Sequence, residues 1–323
     1  MSVRWGFLGA GGIATGALAP AVREAVGATL QAVAARDIER ARALGPESAY
    51  ADYAELLADD AVDAVYISLT NDQHLPWSVA AMRAGKAVLC EKPLAMTAAE
   101  VDQLAAVARD TGQLLVEASW YRWHPRVRLA QQRLPGVGRV RHVAAGFSFD
   151  ADLAGNYRLD PERGGGALYD VGCYAVSACL WAVGAGLPAE VTARSAYGPT
   201  GVDLTTEAIL EWSDGAQAEV RAGIEGSNGQ WLVITGERGE LELRDAPYTS
   251  WTDDDTELWV SDGTATERIA VPAANAYQVM VEEFSSVLTG GPGWVLPVAE
   301  SRGTAAVLDA IRTSASTGRP VQV

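Results

Sequence analysis

The segment Gly9-Ala10-Gly11-Gly12-Ile13-Ala14 narrows the fold more than any other part of this chain. It follows a short apolar run, Val3 to Leu8, and opens a stretch, Ile13 to Val26, in which Leu18, Ala21, Val22 and Ala25 recur at helical spacing. A G-x-G-x-x-A run between strand and helix is the fingerprint of a dinucleotide-binding βαβ unit. Gly9 permits the tight turn and Gly11 lets backbone approach a pyrophosphate. Ala14 lets the helix pack on the strand, and the first turn, at Gly12 and Ile13, offers N–H groups to the anion. Leu30 to Ala35 reads as a second strand with Arg36-Asp37 at its tip. There an acid would bind the ribose 2′-hydroxyl, and an arginine would pair with a 2′-phosphate. Arg36 comes first and Ala35 leaves room, so the expected cofactor is NADP(H). NAD(H) is the alternative if Asp37 reads the ribose instead of capping a helix that begins at Ile38.

The alternation continues to about residue 120. Val62 to Leu69, Ala87 to Cys90 and Leu114 to Ala118 read as strands, and Trp77 to Ala84 and Thr97 to Arg109 as helices. Thr97 and Glu100 have the spacing of a capping box. Strands alternating with helices imply a parallel sheet. After Ser119 the pattern changes. Pro125 to Leu134 reads as a helix, Arg139 to Phe149 as a long strand, and Gly164 to Trp181 as glycines followed by a helix. Glu190 to Leu243 is a succession of strands and turns, Asp253 to Asp255 a solvated acidic loop, and Asn275 to Leu288 and Val298 to Ser316 closing helices. The expected class is α/β. Residues 1–120 form a Rossmann dinucleotide-binding domain, and residues 121–323 an α+β domain for substrate binding and oligomerisation, with a large open, mostly antiparallel sheet. An open sheet face suggests a homodimer or homotetramer.

Composition excludes several functions. The 323 residues carry 41 acids against 25 bases, a net charge of −16, which opposes nucleic acid or an anionic membrane as partner. Three cysteines without a CxxC pair give neither a disulfide framework nor a zinc ribbon and suit a reducing, cytoplasmic location. The N-terminus lacks the pattern of a signal peptide, and no 18-residue apolar run suggests a membrane span. The three histidines, His74, His124 and His142, have no metal-site spacing, so no metal is expected. Lys86 and Lys92 are the only lysines, which draws attention to both, because an amine can lose its proton and a guanidinium cannot.

Lys92 stands in Glu91-Lys92-Pro93, directly after a predicted strand. A charged side chain at the carboxyl end of a parallel strand faces the ligand crevice. A surface lysine at a strand end is the plain alternative. A second constellation is Gly164-Gly165-Gly166-Ala167-Leu168-Tyr169-Asp170-Val171-Gly172-Cys173-Tyr174. Its glycines allow close approach, and Asp170 and Tyr174, four apart, share a helical face. Taken alone, Asp170 could be a cap and Tyr174 a core aromatic.

The glycine loop, Glu91-Lys92-Pro93, the stretch Ser119-Trp120-Tyr121-Arg122-Trp123-His124-Pro125 and the run from Gly164 to Tyr174 occur in an order that resembles the Gfo/Idh/MocA oxidoreductases over essentially the whole chain. Asn156-Tyr157-Arg158-Leu159-Asp160-Pro161 and Ala35-Arg36-Asp37 are most similar to its branch of NADP-dependent xylose dehydrogenases, glucose–fructose oxidoreductases and dimeric dihydrodiol dehydrogenases. The resemblance implies that Lys92, Asp170 and Tyr174 surround the reacting carbon, with Tyr174 as acid/base assisted by Lys92. Many members carry His where Tyr174 stands, so inositol-dehydrogenase-like chemistry is disfavoured. Thr70, Asn71, His74, Glu91 and Arg122 would contact the cofactor, with His124 close by; Tyr157 and Arg158 would line the substrate pocket, and Arg122 could instead be a structural ion-pair partner. The implied activity is an aldose 1-dehydrogenase or a keto-sugar reductase acting on a polyhydroxylated small molecule. Dihydrodiol oxidation and a non-catalytic NADP-binding regulator are the alternatives. Trp120, Trp123, Tyr157 and Tyr169 could stack on a sugar or on an arene.

Overall fold

The computed structural model describes residues 2–243, 248–249 and 255–323. By contacts the chain forms two compact units. The first comprises Met1–Ala95, Ala99–Trp123 and Asn275–Ala299; the second comprises Met96–Ala98, His124–Ala274 and Glu300–Val323.

In the first unit β1 (Val3–Leu8), helix α1 (Ala19–Glu24), β2 (Ala28–Ala34), α2 (Ile38–Ala43), β3 (Ser48–Tyr50), α3 (Tyr53–Leu57), β4 (Ala64–Ile67), α4 (Asn71–Arg83), β5 (Ala87–Cys90), α5 (Ala98–Thr111) and β6 (Leu115–Glu117) follow one another. The six strands pair in parallel in the order β3-β2-β1-β4-β5-β6. The order reverses between β1 and β4, which opens a crevice at their carboxyl ends. β1, β4 and β5 are buried almost throughout, as a parallel sheet covered on both faces requires. The helix after the glycine loop starts as a π turn, Ala14–Leu18, before α1. α4 begins at Asn71, six residues earlier than its apolar pattern predicts. Its polar first turn hides the period, and Pro76 lies inside it.

The closing helix α8 (Ala276–Leu288) belongs with this first unit, although it is more than 150 residues away in sequence. Trp5, fully buried on β1, packs its ring 4.9 Å from Phe284 and donates its indole N–H to Ser285 Oγ at 3.3 Å. Trp120 stacks on Tyr277 at 4.9 Å. Trp123 lies 5.0 Å from the Trp294 ring and donates to the Trp294 carbonyl.

The second unit holds α6 (Pro125–Arg133), β7 (Val140–Ser148), α7 (Cys173–Val183), β8 (Glu190–Tyr197), β9 (Asp203–Glu211), β10 (Gln217–Gly223), β11 (Gly229–Gly236), β12 (Glu240–Glu242), β13 (Thr256–Ser261), β14 (Thr266–Val271), α9 (Val298–Thr317) and β15 (Val321–Gln322). Its nine strands run β14-β13-β12-β11-β7-β10-β9-β8-β15, antiparallel except for the β7–β10 pair. Inward residues such as Val143, Leu210, Val220 and Ile234 are buried, while Arg194, Gln217, Glu219 and Arg221 face out, the alternation of a half-covered sheet. β13 and β14 extend this sheet beyond the predicted strands. Of the expected acidic loop, Asp253 and Asp254 lie outside the described residues, and exposed Asp255 accepts the Ala273 N–H at 2.9 Å.

One stretch bears on the expectation about apolar runs. Pro161–Val183 is long and apolar enough by composition to cross a membrane. Glu162, Arg163 and Asp170 interrupt it in the sequence, yet its most apolar window is 83% buried within the protein, as a core helix is.

Two stability measurements test this description. Trp5→Ala removes a fully enclosed ring and should cost about 3–5 kcal/mol in urea unfolding; a loss under roughly 1 kcal/mol would mean that β1 and α8 do not depend on it. His124 caps α6 by accepting the Arg126 N–H at 3.1 Å, and burial, with the Arg126 charge behind it, pushes its imidazole down to about 4. The unfolded chain takes up that proton near pH ~6.5. Stability should therefore fall as pH drops from roughly 6.5 toward the folded value. His124→Asn, which caps without titrating, should flatten that part of the profile; an unchanged slope contradicts the assignment.

Candidate functional site

In the first unit the glycine loop sits where β1 and β4 diverge. Gly9 has φ +106°, and a Cβ there would lie 2.9 Å from Ser68 Oγ and 3.0 Å from the Ser68 carbonyl, so only glycine fits. Around the next two glycines there is open space. A Cβ on Gly11 would meet only Ser68 O, at 3.9 Å, and one on Gly12 nothing within 4 Å. Gly12 and Ile13 are exposed, and the first N–H groups of a helix have no acceptor of their own. An open loop with these donors fits a pyrophosphate.

At the tip of β2, Arg36 is exposed and Asp37 is engaged elsewhere: its Oδ1 accepts the Glu39 N–H at 3.0 Å and caps α2. Arg40, which the sequence reading passed over, donates from Nη2 to the Ala10 carbonyl of the glycine loop at 2.6 Å. Burial pushes the Tyr53 phenol up, while the charges of Arg36 and Arg40 pull it down, so both guanidiniums lie near that ring. Tyr53 meets Trp77 edge-on at 5.0 Å. Arg40 lies in the first turns of α2 and Arg36 just before its cap, so no local spacing marked Arg40.

Lys92 follows β5 and is half-buried, and its peptide bond to Pro93 is cis. Its neighbours hold this loop from below. Glu91 is buried; Oε1 accepts the Tyr66 hydroxyl at 2.7 Å and Oε2 the Lys92 N–H at 3.2 Å. Burial raises the Glu91 carboxyl, opposed by the Lys92 charge and the Tyr66 hydrogen bond. His74 is fully buried, with Nδ1 2.8 Å from the Pro93 carbonyl and Nε2 3.2 Å from that of Leu69. Thr70 precedes α4 and donates to Asp72 Oδ1 at 2.6 Å; Asn71, the first residue of α4, is buried. Arg122 is buried with its guanidinium 5.6 Å from the Trp294 ring centre. Lys86 is structural, donating to the carbonyls of Asp59 and Val62 at 2.8 Å each.

The second unit brings Tyr157, Arg158, Asp170 and Tyr174 together. The loop Tyr157–Asp160 lies directly on the glycines. Gly165 donates to Asp160 O and Gly166 to Arg158 O, each at 2.9 Å, and a Cβ on Gly165 would fall 2.5 Å from the Arg158 carbonyl. That approach delivers Arg158 Nε to Asp170 Oδ2 at 2.6 Å, with Asp170 only 5% exposed. Burial works against the Arg158 charge, but Asp170, with Tyr157 and Tyr174 behind it, more than restores it. Tyr174, one turn beyond Asp170, is buried with its ring 5.8 Å from Phe147. Leu153 and Leu159 anchor the loop on a cluster of Ala167, Val171, Ala222 and Ile224. The Asp150 N–H donates to Asn228 Oδ1 at 2.9 Å, joining this loop to the turn after β10.

Three of the four aromatics expected to be free for stacking are committed elsewhere. Trp120 and Trp123 pack as described above, and the Tyr169 hydroxyl donates to the Met96 carbonyl at 2.9 Å and accepts from Arg312 at 2.7 Å. Tyr157 is half-buried, with the Arg158 guanidinium 5.1 Å from its ring centre. Cys173 is buried beside Tyr174. Among the described residues no group of three or more His, Cys, Asp or Glu side chains could hold a metal ion.

Comparison with known proteins agrees with both units. Residues 3–119 match the oxidoreductase family with an NAD-binding Rossmann fold, and residues 135–242 match the GFO/IDH/MocA C-terminal domain. A D-xylose 1-dehydrogenase (NADP(+)) of Haloferax volcanii is 36% identical over 99% of this chain and 99% of its own. A trans-1,2-dihydrobenzene-1,2-diol dehydrogenase of Xenopus tropicalis is 32% identical over 78% of this chain and 77% of its own. Among solved structures, the 3-ketoreductase KijD10 of Actinomadura kijaniata, in complex with NADP and TDP-benzene, superposes with a TM-score of 0.90 at 30% identity, covering 97% of this chain and 98% of that one. With an open glycine cradle in one unit, a buried acid–phenol pair in the other, and matches across both, this chain belongs to the Gfo/Idh/MocA family of oxidoreductases.

Proposed function

We propose that the protein is an NADP(H)-dependent oxidoreductase acting on a CH–OH carbon of a sugar or sugar derivative, as an aldose 1-dehydrogenase or a keto-sugar reductase. The observation that carries this reading is the buried Asp170–Tyr174 pair with Arg158 on the carboxylate. Such a pair can hold one hydroxyl while it moves the proton of another. The names of the Haloferax and Actinomadura relatives support NADP and a sugar-like substrate. The packing of Trp120, Trp123 and Tyr169 engages rings that could otherwise stack on an unsaturated ring, which favours a sugar over a dihydrodiol. The outward face of the second sheet, with Ile209 47% exposed on β9, supports assembly as a homodimer or homotetramer.

The bound nicotinamide supplies or accepts the hydride. Tyr174 takes the hydroxyl proton in oxidation and returns it in reduction. A free phenol, with pKa ~10, holds its proton too tightly at neutral pH. A neighbouring cation favours phenolate, and in the proposed mechanism that part falls to Lys92. Asp170, its Oδ2 held by Arg158, accepts from an adjacent substrate hydroxyl. Glu91 and His74 act beneath Lys92, holding the strand-end loop in place. Gly9, Gly11, Gly12 and Ile13 receive the pyrophosphate, Thr70, Asn71 and Arg122 line the cofactor's path, and Arg36 with Arg40 receives a 2′-phosphate. Tyr157 borders the substrate.

Tyr174→Phe and Lys92→Ala should each lower kcat at least about 100-fold, measured with D-xylose and NADP+ and, for the reductase reading, with a keto-sugar and NADPH, with NADPH binding retained. Near-normal turnover in a folded variant would remove these residues from the chemistry. Arg36→Ala should weaken NADPH binding at least about tenfold, roughly 1.4 kcal/mol, and leave NADH binding unchanged in fluorescence titrations. Equal effects on both cofactors would contradict a phosphate-reading role.

A further inference from the structure

The helix that carries Asp170 and Tyr174 starts at a residue that cannot cap it. Gly166, with φ +111°, accepts the first helical bond, from the Asp170 N–H at 3.1 Å, and so occupies the N-cap position. Serine, threonine, aspartate or asparagine there would accept, through a side-chain oxygen, from the exposed N–H groups of the first turn. Glycine has no such oxygen. The missing acceptor comes from Asp203, 35 residues later at the start of β9, whose Oδ2 accepts the Leu168 N–H at 2.8 Å. The carboxylate stands where a side chain of residue 166 would be, since a Cβ on Gly166 would lie 2.1 Å from Asp203 Oδ1.

The carboxylate is itself held from behind. Thr206, fully buried, donates its hydroxyl to the same Oδ2 at 2.7 Å. That uses its single hydrogen, so in the 2.7 Å contact between Ser195 Oγ and Thr206 Oγ1 the donor is Ser195. A chain of hydrogen bonds thus runs from β8 through β9 to the helix. Burial pushes the Asp203 carboxyl up, and the Thr206 and Leu168 hydrogen bonds oppose that shift.

We propose that Asp203 is a positioning residue for the reaction: it replaces the absent N-cap side chain of Gly166 and fixes the axial position of the helix on which Asp170 and Tyr174 meet the substrate. This rests on the function proposed above. In this proposal Asp203 acts through Leu168.

The test uses Asp203→Ala, Asp203→Asn and Thr206→Val in the full chain. Backbone exchange of residues 164–174 is followed by mass spectrometry, and kcat and KM are measured with D-xylose and NADP+. Asp203→Ala should speed exchange at Leu168 at least about tenfold, because the amide loses its acceptor. It should lower kcat roughly tenfold while KM for NADP+ stays within about twofold, the mark of lost alignment rather than lost binding. Asp203→Asn keeps an acceptor oxygen and should restore both readouts, which a purely structural role for the charge would not allow. Thr206→Val should fall between and serves if Asp203→Ala does not fold. Unchanged exchange, or failure of Asp203→Asn to rescue, overturns the proposal. If the wild-type protein oxidises no sugar while Asp203→Ala still frees Leu168, the proposed function fails and the cap stands; the exchange result then decides the cap alone.

Discussion

A buried carboxylate organises the second unit. Taking an ion out of water costs several kcal/mol unless it is paired and hydrogen-bonded, and Asp170 is 5% exposed. Arg158 answers it at 2.6 Å, but only because the loop before it presses onto the helix start. That contact has no room for a Cβ at residue 165, and a Cβ at residue 166 would collide with Asp203. The glycine run, the loop with its leucine anchors, and the helix bearing Tyr174 therefore form one arrangement. Each part explains the residue types of the others.

The first unit solves a different problem, with space in place of pairing. Its loop at Gly11 and Gly12 is left open, while buried hydrogen-bonded side chains hold the Lys92 loop. Tyr66 holds Glu91, and His74 spans two carbonyls. A neutral imidazole can donate to only one of these; both would be satisfied by the charged ring, yet burial drives its pKa down. Of the two lysines, Lys86 donates to backbone carbonyls, and in the proposed mechanism the chemistry falls to Lys92.

The parallel sheet, the glycine loop, and the helix carrying Asp170 and Tyr174 were legible because each depends on local spacing. Residues whose roles depend on distant partners were not. Arg40 reads as one arginine among many until its guanidinium is seen on the Ala10 carbonyl. Asp203 precedes a strand and looks like turn chemistry, and only the fold brings it to a helix start 35 residues earlier. Helix α8 shows its amphipathic period plainly, but nothing local says that its apolar face covers Trp5. The aromatics at 120, 123 and 169 look available in the sequence because packing partners from the chain's far end are invisible there.

In the proposed reaction Arg158 and Asp170 act as one charged unit beside Tyr174. A double-mutant cycle tests it most directly, with Arg158→Leu, Asp170→Asn and the pair compared in kcat/KM for sugar oxidation with NADP+. If the two act as one, the double variant should lose about as much as the worse single variant, far less than the product of the two losses. Losses that multiply independently would show that the ion pair is incidental to the reaction.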